Sequence, residues 1–147
     1  MKTLIIYVSF HHRNTERIAN EIAEVMNAEM VKPEEVKIEN ILSYDLIGFG
    51  SGIYFMKHHP SLLKIIDKLP VVDKMAFIFS TKGAFPIWLC HMTIKRKLKQ
   101  KGFKIIGEFS CRGFDTYGPL KYIKGINKGK PDENDLNNAR EFARNLI

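Results

Sequence analysis

Short apolar runs alternating with segments of helical periodicity restrict the fold of this chain more than any other feature. Thr3-Leu4-Ile5-Ile6-Tyr7-Val8, Asp45-Leu46-Ile47-Gly48-Phe49, Lys74-Met75-Ala76-Phe77-Ile78-Phe79 and Phe103-Lys104-Ile105-Ile106-Gly107-Glu108-Phe109 are short and rich in β-branched and aromatic residues. They read as strands buried on both faces. A weaker strand at 28–32 stops at Pro33. Helices are expected between them. Ile18, Ile22, Val25 and Met26, with Ala19 and Ala23, form one stripe ending near Asn27. Leu62, Leu63, Ile65, Ile66 and Leu69 form another between Pro60-Ser61 and Pro70. A third helix should run from about Pro86 to Gly102, burying Cys90 or Met92 with Ile94 and Leu98. The last carries Leu136, Ala139, Phe142, Ala143 and Leu146, with Asp132 as its N-cap. This order predicts an α/β fold: a five-stranded parallel sheet with helices on both faces and right-handed crossovers.

Size and composition fit one domain spanning 1–147, with 45% hydrophobic and 27% charged residues. No run reaches the length of a membrane span. The N-terminus enters a strand without a signal-peptide pattern, so a cytoplasmic protein is expected. Cys90 and Cys111 are too few for a disulfide scaffold, and their separation is no metal-ligand spacing. The net charge of +7 raises the question of nucleic acid, but the lysines are scattered and no nucleic-acid-binding motif accompanies them. The run Lys95-Arg96-Lys97-Leu98-Lys99-Gln100-Lys101 is expected to be a solvated helix face. The charge should instead govern which partners dock.

Between the first strand and first helix lies Ser9-Phe10-His11-His12-Arg13-Asn14-Thr15. Unpaired N–H groups and the dipole at a helix N-terminus attract anions, and these side chains add neutral and cationic donors. The alternative is that Asn14 simply caps the helix. Gly48, Gly50 and Gly52 form a second notable stretch, expected to be a turn with close ligand approach and positive φ. Ile53-Tyr54-Phe55-Met56 would lie just outside that strand's end. In an open parallel sheet, ligands bind beyond the carboxyl ends of the strands at the topological switch point. Both stretches and the 80–88 loop fall there, which favours the anion site. The 111–130 segment is long, glycine-bearing and aperiodic, as expected of a flap or partner surface.

These stretches resemble those of flavodoxins. Tyr7-Val8-Ser9 through Asn14-Thr15-Glu16-Arg17-Ile18-Ala19 is similar to the phosphate loop and first helix, and Gly48-Phe49-Gly50-Ser51-Gly52-Ile53-Tyr54 to the second flavin loop. Phe79-Ser80-Thr81-Lys82-Gly83 corresponds to the third. Short flavodoxin-like proteins of anaerobic bacteria and archaea also carry stretches similar to Phe109-Ser110-Cys111-Arg112-Gly113-Phe114 and Gly125-Ile126-Asn127-Lys128-Gly129. The resemblance implies a flavodoxin-like three-layer sandwich with sheet order 2-1-3-4-5, the order that defines flavodoxin-type sheets.

It also implies FMN as cofactor. Ser9, His11, His12, Arg13, Asn14 and Thr15 would hold the phosphate, Ser51, Gly52, Ile53 and Tyr54 would line the isoalloxazine ring, and Ser80, Thr81, Lys82 and Gly83 would reach the pyrimidine edge. A carbonyl of the 51–53 turn would accept from the reduced ring, and Tyr54, Phe85 or Trp88 would stack on it. The loop from Ser9 to Thr15 has one residue more than the usual flavodoxin loop, with Arg13 in place of its glycine, so more positive charge is expected around the phosphate. The implied function is electron transfer between redox partner proteins with acidic docking surfaces, by a monomer or homodimer. An FMN-dependent NAD(P)H:quinone or flavin reductase is the alternative. A phosphoacceptor receiver domain is excluded, because the required acidic residues are Ser9-Phe10-His11 and Gly48-Phe49-Gly50 here. A metal site drawn from His11, His12, His58, His59, His91 and the cysteines would need folding to assemble it.

Overall fold

The computed structural model describes residues 1–9, 14–82, 85–112 and 131–147. Strands β1 (Thr3–Val8), β2 (Glu29–Val31), β3 (Leu46–Tyr54), β5 (Met75–Lys82) and β6 (Lys104–Arg112) form a parallel sheet in the order β2-β1-β3-β5-β6. Numbered among themselves, these five strands have the expected order 2-1-3-4-5. A strand not anticipated, β4 (Lys57–His58), pairs antiparallel with the end of β3. Helices α1 (Asn14–Met26) and α6 (Glu133–Leu146) cover one face. Helices α3 (Pro60–Lys68) and α5 (Met92–Gln100) cover the other, with the one-turn helices α2 (Ile38–Ile41) and α4 (Ile87–Cys90) in connections.

The strands are apolar on both faces because both are covered. Leu4, Ile6, Ile47, Phe49, Ala76 and Ile78 pack against Leu62, Ile66, Ile94 and Leu98 on the α3/α5 side. Ile5, Tyr7, Leu46, Phe77 and Phe79 pack against Ile18, Ile22, Leu136 and Ala139 on the other. The ends of the helices follow their sequence signals. Asn27 adopts φ 52° and Ala28 N–H donates to the Ala23 carbonyl at 2.9 Å, closing α1. Gly102 does the same for α5 at φ 89°, with Phe103 N–H donating to Leu98 at 3.1 Å. Asp132 caps α6 in a reciprocal box with Asp135, at 3.0 and 2.9 Å.

Three local expectations are corrected. The helix expected from Pro86 to Gly102 breaks at His91 into α4 and α5. Cys90 is fully buried whereas Met92 is about half exposed. The break coincides with the His91 ring being bonded into the sheet side, described below. The 48–52 stretch is not a turn: β3 continues through it to Tyr54, in register with β5 as far as Gly52↔Thr81. Gly48 and Gly50 also have another role. A Cβ at Gly48 would lie 2.2 Å from the Phe77 ring, and one at Gly50 would lie 2.1 Å from the Phe79 ring. They are glycines because two phenylalanines of the next strand lie over their backbone, and neither has positive φ.

Gly50→Ala is therefore expected to destabilise the fold by about 1–3 kcal/mol through overpacking. Adding Phe79→Leu should recover part of that loss in a urea-unfolding double-mutant cycle. Additive losses would show that the ring does not set the glycine requirement.

Candidate functional site

The carboxyl ends of β1, β3 and β5 and the N-terminus of α1 meet at one edge of the sheet. Thr15, in the first turn of α1, and Thr81, near the end of β5, lie 2.8 Å apart hydroxyl to hydroxyl, and both are buried. Ser9 follows β1 directly and its Oγ accepts the Glu16 N–H at 3.0 Å, filling one of the unpaired donors of the helix start. Asn14 is buried beside it. The structure thus brings Thr15 of the first stretch against Thr81 of the third, with Ser9 and Asn14 at the same helix start. His11, His12, Arg13 and Gly83 lie outside the described residues, as does 113–130 of the long segment.

The second stretch sits at the same edge. Ser51 is fully buried and its hydroxyl is occupied by the chain, donating to the Gly52 carbonyl at 2.6 Å and accepting His59 N–H at 2.9 Å. Gly52, Ile53 and Tyr54 are half-buried. The chain reverses at Phe55-Met56, where φ is 50° and 63°. Two residues with positive φ between paired strands make a tight hairpin that normally takes Asn-Gly. Here the turn presents a phenylalanine 85% exposed. Phe85 and Trp88 are also exposed, on the segment after β5. Tyr54 makes an edge contact with the His59 ring at 5.1 Å.

Behind this edge, on the α3/α5 side, lies a polar group that the sequence did not reveal. Ser80 and His91 are fully buried, and Ser80 Oγ lies 2.7 Å from His91 Nε2 and 2.9 Å from Ser110 Oγ. His91 Nδ1 lies 3.0 Å from Glu108 Oε1, and Glu108 Oε2 lies 2.9 Å from Lys95 Nζ. His58 is also buried, its Nε2 3.0 Å from the Phe79 carbonyl and its ring 5.1 Å from that of His91. One trace of this was legible: His91 falls three and seven residues before Ile94 and Leu98, on the apolar stripe of the helix. Among the described residues no three histidine, cysteine, aspartate or glutamate side chains come together as a metal site would need.

Burial sets the protonation of these groups. His58 is pushed down to about 3 by burial first and the neighbouring His91 second, against the Phe79 carbonyl. His91 is lowered by burial, with Glu108 opposing. Burial would raise Glu108, but its bonds to Lys95 and His91 hold it below the usual carboxylate value. A buried neutral histidine binds its proton more weakly than in the unfolded chain. Stability is then fully present above about pH 6.5 and falls as pH drops from there towards 3. Urea midpoints measured from pH 7 to pH 4 should decline less steeply in His58→Gln than in the parent. Equal slopes would show that His58 does not carry this dependence.

A family model described as a flavodoxin domain matches residues 4–101. An uncharacterized protein of Methanocaldococcus jannaschii is 50% identical over 149 residues, covering all of this chain and 99% of its own. Among solved structures, a flavodoxin from the domain Archaea aligns with TM-score 0.74 and 16% identity over 99% of this chain and 96% of its own. Oxidised flavodoxin 2 of Bacillus cereus aligns with TM-score 0.70 and 20% identity, over 98% and 96%. At those identities the solved structures speak for the fold, while the family match and the close relative speak for descent. The chain belongs to the flavodoxin-domain family.

Proposed function

We propose that this protein binds FMN and carries electrons between partner proteins. The observation that carries this reading is the meeting of Ser9, Asn14, Thr15 and Thr81 at the start of α1 and the switch point of the sheet, with the Thr15–Thr81 contact of 2.8 Å joining the two stretches. The donor set suits a phosphate: neutral hydroxyl and amide groups at the N-terminus of a thirteen-residue helix. Phe55, just after β3, and Phe85 and Trp88, after β5, are exposed aromatics that suit a flat ring system.

In this reading Ser9, His11, His12, Arg13, Asn14 and Thr15 hold the phosphate. Ser51, Gly52, Ile53 and Tyr54 border the ring, and Ser80, Thr81, Lys82 and Gly83 border its pyrimidine edge. Because the Ser51 and Ser80 hydroxyls are bonded inward, these two act through their backbone. The flavin supplies the redox chemistry, while the chain supplies binding, orientation and electrostatics. Lys82 contributes a cation on the sheet side that carries Ser80. A partner with an acidic surface fits the outer face of α5. There Trp88, Met92, Lys95, Arg96, Lys99 and Gln100 line a groove of about 560 Å³, in which Lys95 is paired with Glu108 while Arg96 and Lys99 add two further cations.

Purified protein mixed with FMN and passed through gel filtration should retain flavin absorbance in equal molar ratio; a colourless protein that FMN cannot saturate overturns the reading. In the loaded protein, Lys82→Glu should make the potential of full reduction more negative. A charge contact on the order of 1 kcal/mol corresponds to about 40 mV for one electron. Oxidation of NAD(P)H with a quinone well above the rate of free FMN would instead assign a reductase.

A further inference from the structure

The chain Ser110–Ser80–His91–Glu108 has a direction that its donors and acceptors dictate. A carboxylate only accepts, so His91 Nδ1 carries the proton in the 3.0 Å contact to Glu108. Nε2 of the neutral ring then accepts the Ser80 hydroxyl at 2.7 Å, and the Ser80 oxygen accepts the Ser110 hydroxyl at 2.9 Å. His58 is fixed in the opposite tautomer, because a carbonyl also only accepts: its Nε2–H donates to Phe79, leaving Nδ1 buried with no hydrogen-bond partner among the described residues. Serine, histidine and acid follow the order of a hydrolytic triad, but Ser80 and His91 are fully buried, so the hydroxyl meets no substrate. Ser110 is half-buried and Glu108 a quarter exposed, so both ends of the chain lie nearer to water than its buried middle.

We propose that His91 is an internal proton acceptor for the cofactor site, charged through the two serine hydroxyls when negative charge is added at the carboxyl end of β5. Each oxygen passes its proton one place along. Solvent protonates Ser110 Oγ, the Ser110 proton passes to Ser80 Oγ, and the Ser80 proton passes to His91 Nε2. One proton enters from water, one N–H bond forms, and both serines end neutral. Nε2–H then donates to Ser80, Ser80 to Ser110, and Ser110 to solvent, so no hydroxyl rotates. Glu108 on β6 favours the charged ring. Lys95 on α5 and Lys82 on β5 oppose it, as does burial. His58 on β4 stays neutral beside it, and Ser80 and Ser110 are the uncharged groups in contact. Added negative charge at the end of β5 shifts that balance towards the imidazolium.

The proposal rests on the FMN reading, and one experiment separates the two. The ring nitrogens of ¹⁵N-histidine-labelled protein are followed by NMR across pH in three forms: without FMN, with oxidised FMN, and after anaerobic reduction by dithionite. The resting protein should show His91 as the Nδ1–H tautomer and His58 as the Nε2–H tautomer. On reduction the His91 titration should move up by about one pH unit, and Glu108→Gln should move it down in every form. The reduction midpoint should acquire a pH dependence across that interval, absent in His91→Gln. An Nε2–H tautomer for resting His91 overturns the proposal, as does a His91 titration unmoved by reduction of bound FMN. If FMN fails to bind, absorbance shows this before any titration, and both readings fall together.

Discussion

Parallel pairing is the constraint on which the rest depends: its register is unbroken from β1 through β3 to β5, and β6 shifts by one residue opposite Ala76 and Phe77, before the row of serines. Val8, Ser51, Ser80 and Ser110 lie side by side across β1, β3, β5 and β6. One row earlier stand Tyr7, Gly50 and Phe79, buried in the packed layer, and Phe109, partly buried on the edge strand. The sheet therefore changes from apolar to hydroxyl-bearing at a single level, on three adjacent strands. Because all three run in the same direction, this level faces the same end of the molecule. A slip of one residue in any strand would turn its serine to the other face and break the level. The glycine–phenylalanine contacts between β3 and β5 guard that register, since only glycine at 48 and 50 accepts the rings of 77 and 79.

Two kinds of polar chemistry meet at that level. Towards α1, Ser9, Asn14, Thr15 and Thr81 gather at a helix start, where backbone donors set a positive potential. Towards α5, Ser80 and Ser110 join the His91 imidazole, with the His58 ring packed beside it; a carboxylate sets the tautomer of His91 and a carbonyl that of His58. Low polarity strengthens such bonds and makes any unmatched atom costly, so this cluster fixes the local geometry closely. Among the described residues His58 Nδ1 is such an unmatched atom.

The sheet was legible because strands buried on both faces leave long apolar runs, and helix ends leave Asn27, Gly102 and Asp132; its order followed from the resemblance to flavodoxins. The switch point directs attention to the sheet end where Ser9, Thr15 and Thr81 gather. What the sequence hid was pairing between distant residues. Ser80, His91 and Glu108 are unremarkable singly, and only the fold makes them neighbours. The two-residue strand β4 carries too little pattern to be seen. Gly48 and Gly50 were noticed for their backbone freedom, while their actual role is the absence of a side chain, which is invisible without the phenylalanines across the sheet.

The Phe55-Met56 reversal has a consequence beyond its place at the sheet edge. Two side-chain-bearing residues in the left-handed region cost roughly 1–2 kcal/mol each compared with their preferred conformations. The paired strands on either side hold them there. The hairpin tip is thus the least relaxed backbone described at this end of the molecule, and it carries one of the most exposed aromatic rings. Glycine at these positions would remove the strain but widen the range of conformations open to the unfolded chain and to the tip itself. With phenylalanine and methionine the tip has few alternatives, so its exposed ring is held at a defined place beside the sheet edge.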